Sequence, residues 1–177
     1  ITLKRDSSGD NTLHNIIVDS FKWITKADVA LVHVDGLRTK WNPGEITTLD
    51  LYNMFPFNND ICTFEMTGAE LIQTLKDIVS TKFYSVSGLM VTYARNPNKF
   101  IAALQYEGGK YKEIDLKKTY IVSTLDYLIK GNVEFEKVAK WYKIRNFKCF
   151  GGFREVVAKY LKQIRLIKEN DFVDPLH

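Results

Sequence analysis

The first third of the chain alternates between helical and extended hydrophobic patterns. Five apolar residues recur at the spacing of one helical face: Leu13, Ile16, Ile17, Phe21 and Ile24. Asn11 or Thr12 is placed to act as the N-cap of this helix. The apolar run from Val29 to Val34 predicts a buried strand, and Pro43 and Gly44 predict a loop after it.

A second, shorter helix is indicated by its start and stop signals. Thr47, Thr48 and Asp50 can cap a helix that runs through Met54. Pro56 ends it, because proline has no N–H group and disfavours helical geometry in the residue before it.

A strand followed directly by a helix is predicted next. Cys62 to Glu65 has strand character, and the Thr67-Gly68-Ala69-Glu70 sequence is a capping box. The helix that begins there buries Leu71, Leu75 and Ile78.

The second half of the chain continues this irregular mixture. Three segments have strand character: Leu89–Tyr93, Phe100–Tyr106 and Tyr120–Thr124. Asn96–Asn98 and Gly108–Gly109 supply turns between them. The last stretch keeps a 3.6-residue apolar period at Phe153, Val156, Val157, Tyr160, Leu161, Ile164 and Ile167. Interleaved helices and strands predict one α+β domain over residues 1–177, with a mixed β-sheet flanked by helices.

Composition narrows the function classes. With 177 residues, 45% of them hydrophobic, the chain can bury one substantial core, and no stretch approaches the roughly 20 apolar residues of a membrane helix. A net charge of +4, mixed with 21 acidic residues, does not argue for nucleic-acid binding. Cys62 and Cys149 form no zinc pattern, and two buried thiols are favoured over one disulfide.

Seven segments, in order, carry a resemblance to a known family: LHNIIVDSFKW, ADVALVHVDGLR, GEITTLDLYNMFPFNND, MTGAELIQTL, VSGLMVTY, KTYIVSTLDYL and EVVAKYLK. Together they resemble the C-terminal domain of the 5′-nucleotidase family, which includes UDP-sugar hydrolases and related phosphoesterases. In that family this domain recognises the nucleoside. A separate N-terminal calcineurin-like domain holds two divalent metal ions and performs the chemistry.

The resemblance weakens in the substrate loops. The family's LGNLIAD has His14 in place of its glycine, and NGGGIR reads HVDGLR, with His33 at the asparagine position. The family's loop NGGDGF reads KGNVEF here, so Val133 stands in place of an aspartate that contacts the ribose hydroxyls in the family. The valine side chain cannot accept a hydrogen bond. The arginine expected before the first helix has no clear counterpart, since Arg5 lies out of register.

The same resemblance implies a set of substrate-binding residues. Arg38 keeps the loop arginine, whose guanidinium can pair with phosphate or carboxylate. Phe57 and Asn59 match the family's PFGN, and Tyr127 falls at a phenylalanine position. Phe57 and Tyr127 would preserve an aromatic clamp on the base, with His33 in the altered loop beside it. For each of these residues the alternative is an ordinary structural role, in an ion pair, the core or a turn.

No catalytic constellation is visible in the sequence. Only three histidines are present, and no Asp-x-His or Gly-Asn-His cluster accompanies them, so packing or hydrogen bonding is expected of His14 and His33. The resemblance therefore implies a recognition domain that binds no cofactor itself, two metal ions belonging to a missing N-terminal domain, and a nucleoside or nucleotide ligand. Neither a nucleic-acid partner nor a membrane span is expected, and family members are often extracytoplasmic. The alternative is a degenerate, non-catalytic interaction or structural module of the same fold.

Overall fold

A computed structural model describes residues 12–33, 36–38, 46–79, 84–94, 99–129 and 145–164. In chain order the elements are α1 (Thr12–Thr25), β1 (Val29–His33), α2 (Thr48–Met54), β2 (Asp60–Thr67), α3 (Gly68–Val79), β3 (Tyr84–Ser87), β4 (Leu89–Ala94), β5 (Lys99–Glu107), β6 (Lys110–Glu113), β7 (Thr119–Leu125), α4 (Asp126–Ile129), β8 (Arg145–Gly152) and α5 (Phe153–Ile164). The expected α+β class with a mixed, helix-flanked sheet is confirmed.

The principal sheet has five strands in the order β3-β1-β7-β2-β8. Only β1 and β7 run parallel, and the other neighbouring pairs are antiparallel. Parallel neighbours have their carboxyl ends at the same edge of a sheet, whereas in an antiparallel pair one strand ends where the other begins. The ends of β1, β7 and β8 and the starts of β2 and β3 therefore lie at one edge of the sheet.

Helices α1 and α5 pack together against the sheet. The predicted apolar face of α1 is buried at Leu13, Ile16, Ile17 and Phe21, while Ile24 is partly buried against the core. Between the two helices, the rings of Phe21 and Phe153 meet edge to face with centroids 5.9 Å apart. Thr12 is the first helical residue of α1, and Asn11 lies outside the described residues.

A three-stranded meander, β4-β5-β6, forms the second sheet, and α3 packs against β5. Gly88 joins β3 to β4 with a φ of +82°. A Cβ atom there would lie 2.3 Å from the carbonyl oxygen of Asp28, so both backbone conformation and space require glycine.

Both predicted capping motifs are present. The Thr47 hydroxyl accepts from the Asp50 N–H, and the Asp50 carboxylate accepts from the Thr47 N–H at 2.7 Å. In the same way, Thr67 and Glu70 exchange bonds at the start of α3. α2 ends at Met54, two residues before Pro56, as expected.

Strands β3, β6 and β8 were not predicted from the sequence. β3 and β6 have four residues each, and β8 (RNFKCFGG) is mostly exposed at the edge of its sheet. Tyr84 and Val86 alternate with serines in β3, but over four residues only, the lower limit for a strand signal, whereas β6 and β8 have no alternating buried face. The expected turn at Asn96–Asn98 and the helical pattern beyond Ile164 lie outside the described residues.

The expectation of two buried thiols is wrong, because Cys62 and Cys149 form a disulfide. They are direct partners in the antiparallel register of β2 and β8. The two cysteines come together because β8 pairs with β2, and the sequence pattern did not predict β8. The disulfide therefore could not be predicted from that pattern. Cys62 is fully buried, whereas Cys149 is exposed, and the bond ties the edge strand to the core.

None of the helices in the described residues is both long and apolar enough to cross a membrane.

Cys149→Ser should lower the free energy of unfolding by about 2–5 kcal/mol, because the disulfide closes a loop between residues 87 positions apart. Urea unfolding of the oxidised protein and of the variant measures the difference. Because the Cys149 side chain is exposed, the substitution removes the bond with little loss of packing. Equal stability of the two proteins, or two titratable thiols in the unreduced protein, would contradict the disulfide.

Asp19→Asn should stabilise the protein at neutral pH. Burial raises the pKa of Asp19, although the Ser87 hydroxyl, which donates to it at 2.5 Å, and Lys22 oppose the shift. A raised pKa in the folded state means that the stability contribution is complete at low pH and is lost as pH rises through that pKa. The stability difference between Asp19→Asn and the wild type should therefore grow from pH 4 to pH 7 in urea unfolding.

Asp50→Asn is the matched control for this pH dependence. Hydrogen bonds from the Thr47 side chain and backbone lower the pKa of Asp50, so its carboxylate stabilises the fold above its unfolded pKa. Neutralising it should destabilise the protein at pH 7 more than at pH 4, which is the opposite trend. Parallel trends for the two variants would refute the assignment for Asp19.

Candidate functional site

The predicted binding residues gather at the sheet edge that the strand directions define. His33 ends β1, Tyr127 follows β7, and Asn59 immediately precedes β2. Phe57 lies two residues before Asn59, and Arg38 contacts it through its side chain. Residues from three separate segments of the chain, the HVDGLR loop, residues 57–59 and Tyr127, therefore lie at this edge.

One carboxylate oxygen connects the two halves of this cluster. Oδ1 of Asp126 accepts hydrogen bonds from the Asn59 side-chain amide at 3.1 Å, the Asp60 N–H at 3.1 Å and the Tyr127 N–H at 2.8 Å. Asp126 is buried, with 9% of its surface exposed, and hydrogen bonds to a charged acceptor in such a place are strong. The Phe57 segment and the Tyr127 segment are thus held in a fixed relation.

The two aromatic rings of the expected clamp are both accessible. Phe57 is 39% exposed and Tyr127 is 49% exposed, values within the range of the other exposed large hydrophobic side chains of the described residues. Among the described residues, the two rings make no contact with each other. Both rings therefore keep part of their surface accessible, although Phe57 also contacts Phe55 and Arg38.

Arg38 lies over the ring of Phe57, with its guanidinium carbon 5.2 Å from the ring centroid. Its backbone N–H donates to the Met54 carbonyl at 2.7 Å, which fixes the end of the HVDGLR loop against α2. Its side chain is exposed and forms no ion pair with any carboxylate in the described part of the chain. A guanidinium in this place can still donate N–H groups to an anion while it lies over the ring.

Beneath Phe57 lies a packed aromatic stack. The Phe55 ring meets Phe57 edge to face at 5.2 Å and lies 4.0 Å from the ring of Phe153. Gly36 approaches the other side of Phe55 so closely that a Cβ atom would lie 2.8 Å from Phe55 Cε2. Phe57 is therefore the outermost ring of a stack whose inner members are buried.

Asn59 and His33 are less available for a ligand than Arg38. The Asn59 side-chain nitrogen donates to Asp126, and the backbone carbonyl of Asn59 accepts from the Phe153 N–H at 2.9 Å. The ring of His33 is half-buried and meets Tyr84 edge to face at 5.1 Å. Of the positions that departed from the family pattern, Val133 and Arg5 lie outside the described residues.

An open groove of about 460 Å³ adjoins the cluster on the side of α2 and α5. Phe57 and Asn59 contribute to its wall together with Tyr52 and Arg154, whereas Tyr127, Arg38 and His33 do not. In the described residues, no group of three or more His, Cys, Asp or Glu side chains is placed to hold a metal ion.

Sequence reasoning missed two residues of the site, Asp126 and Arg154. A weak signal for Asp126 was its position directly after a strand and before Tyr127, where a carboxylate can cap backbone N–H groups. For Arg154 the signal was a cation in the first turn of a helix, where the helix dipole disfavours positive charge.

Comparisons with known proteins show which family the chain resembles. A family model described as "5′-nucleotidase, C-terminal domain" matches residues 1–140. The chain is 30% identical to "Endonuclease YhcR" of Bacillus subtilis (strain 168), over 96% of this chain and 15% of that protein. It is 38% identical to the "Probable 5′-nucleotidase" of Treponema pallidum (strain Nichols), over 60% of this chain and 20% of that protein.

A solved structure shares the fold. The chain superposes on a 5′-nucleotidase precursor from Thermus thermophilus with a TM-score of 0.81 and 24% identity, over 90% of this chain and 34% of that one. The chain therefore corresponds to a fraction of each relative's length, between 15% and 34%. Since the family model matches most of its residues, the chain belongs to the 5′-nucleotidase C-terminal domain family.

Proposed function

We propose that this chain is the substrate-recognition domain of a 5′-nucleotidase-like phosphoesterase. In this proposal Phe57 and Tyr127 stack on the two faces of a nucleotide base, and Arg38 attracts a phosphate or other anionic group. The observation that supports it best is the pair of exposed aromatic rings whose segments are bound to one buried carboxylate of Asp126.

Chemistry in this proposal belongs to an N-terminal metallophosphoesterase domain that is not part of this chain. The two divalent metal ions of such a domain would polarise the phosphoryl group and supply the attacking water-derived nucleophile. The present domain would contribute orientation, because binding energy from base and sugar is used to hold the phosphoryl group in near-attack geometry.

The altered substrate loops support a second interpretation. His14, His33 and Val133 replace residues of the family pattern, which favours a domain that has lost nucleotide binding and acts as an interaction or structural module. The Bacillus subtilis relative, named an endonuclease, also makes a polynucleotide a candidate for the parent's substrate class.

Calorimetric titration with adenosine, AMP, UMP and a short single-stranded oligonucleotide, extended to millimolar ligand, tests the proposal. Removing one stacking ring typically weakens binding by about 1–3 kcal/mol, or roughly 5- to 150-fold. Phe57→Ala/Tyr127→Ala should therefore abolish measurable binding of mononucleotides that the wild type binds.

Tyr93→Ala/Tyr106→Ala is the matched control, because these rings are similarly exposed, at 44% and 48%, but lie on the separate meander. Binding by this control should equal that of the wild type. If the wild type binds no nucleoside or nucleotide, the non-catalytic module replaces the proposal; if it binds only the oligonucleotide, the ligand class changes.

A further inference from the structure

Arg154 occupies an electrostatically unfavourable place. It is the second residue of α5, and the amino end of a helix carries partial positive charge, which disfavours a cation there. No carboxylate among the described residues forms an ion pair with it, although Glu155, the next residue, pairs with Lys159. The interactions that offset this cost must come from neutral groups.

The hydrogen-bond acceptors of the Arg154 side chain all belong to the segment that carries Phe57. One guanidinium nitrogen of Arg154 donates to the Phe55 carbonyl at 3.0 Å and to the Phe57 carbonyl at 2.7 Å. Its other terminal nitrogen donates to Asn58 Oδ1 at 2.6 Å. A planar guanidinium can make these three bonds at once because its donors diverge in one plane.

The segment itself has few regular backbone bonds. Residues 55–59 lie between α2 and β2, and Pro56 has no N–H to donate. The Phe55 N–H completes the last turn of α2, and the Asn59 carbonyl accepts from the Phe153 N–H. Between these ends, the Arg154 side chain donates hydrogen bonds to the two carbonyls on either side of Pro56, those of Phe55 and Phe57.

The guanidinium is also held in place from outside. Its carbon lies 5.2 Å from the centroid of the Tyr52 ring on α2, so the cation sits between that ring and the Phe57 segment. Together with the Phe55–Phe153 ring contact, this joins α2, the segment and α5 into one packed unit.

From these contacts we infer that Arg154 is a positioning residue, which sets the orientation of Phe57 from α5 without contacting the ligand. The structural part of the inference stands on the hydrogen bonds alone. The part that concerns ligand affinity rests on the proposed function.

Backbone amide exchange in Arg154→Gln tests the structural part. Two backbone amides donate hydrogen bonds at the end of the segment: the Asp60 N–H donates to Asp126, and the Phe153 N–H donates to the Asn59 carbonyl. Both should exchange at least tenfold faster in the variant, while the Phe64 amide in the middle of β2 should be unchanged. Lys159→Gln, on the same helix but paired with Glu155 among the described residues, is the control and should alter neither amide.

Ligand titration of the same variants separates positioning from direct contact. If Arg154 acts through Phe57, Arg154→Gln should weaken the binding of adenosine and of AMP by the same factor, about tenfold. Arg154→Lys should recover part of the lost affinity. Weakening confined to AMP would mean that Arg154 contacts the phosphate and would overturn the inference.

The two proposals can fail separately. Unchanged exchange at Asp60 and Phe153 overturns the positioning role whatever the ligand results are. Absence of binding by the wild type refutes the proposed function, while faster exchange in Arg154→Gln would still establish the structural role. If Arg154→Gln does not fold, Tyr52→Leu, which leaves the three hydrogen bonds but removes the outer ring, should give a smaller acceleration of the same amides.

Discussion

The buried carboxylate of Asp126 is the interaction on which the geometry of the site depends. A carboxylate withdrawn from water is costly unless hydrogen bonds satisfy it, and here Oδ1 alone accepts three. Because two donors come from the start of β2 and one from the end of β7, the need to satisfy this charge also fixes two distant segments of the chain against each other. The rings of Phe57 and Tyr127 do not contact each other, but the chain segments that carry them are both hydrogen-bonded to Oδ1 of Asp126.

The sheet topology supplies the rest of the arrangement. A single parallel pair within an otherwise antiparallel sheet brings the end of β1 and the end of β7 to the edge where β2 begins and β8 stops. Two guanidinium groups contact the Phe57 segment. Arg38, from the HVDGLR loop, lies over the Phe57 ring, and Arg154, from α5, donates to the backbone. Neither forms an ion pair with a carboxylate of the described residues.

Much of the fold follows from local sequence signals, and much of the site does not. The helices α1, α3 and α5 and both capping boxes were predictable, because periodicity and capping act over a few residues. Strand β8 and the Cys62–Cys149 bond were not, since an exposed edge strand has no period and the pairing spans 87 positions. The resemblance implies a pairing of Phe57 and Tyr127, which stays a prediction. Asp126 and Arg154 act through hydrogen bonds to residues far away in the sequence, and such bonds leave no motif.

Gly36 shows how little a retained residue need say about a ligand. It is the one glycine left in a loop where the family pattern has three, and it would be natural to count it as a trace of substrate binding. Its nearest neighbour is instead the ring of Phe55, which Phe57 and Phe153 hold in place and which cannot move aside for a methyl group. The shape of the aromatic stack would therefore select for glycine here even in a lineage that had stopped handling nucleotides altogether.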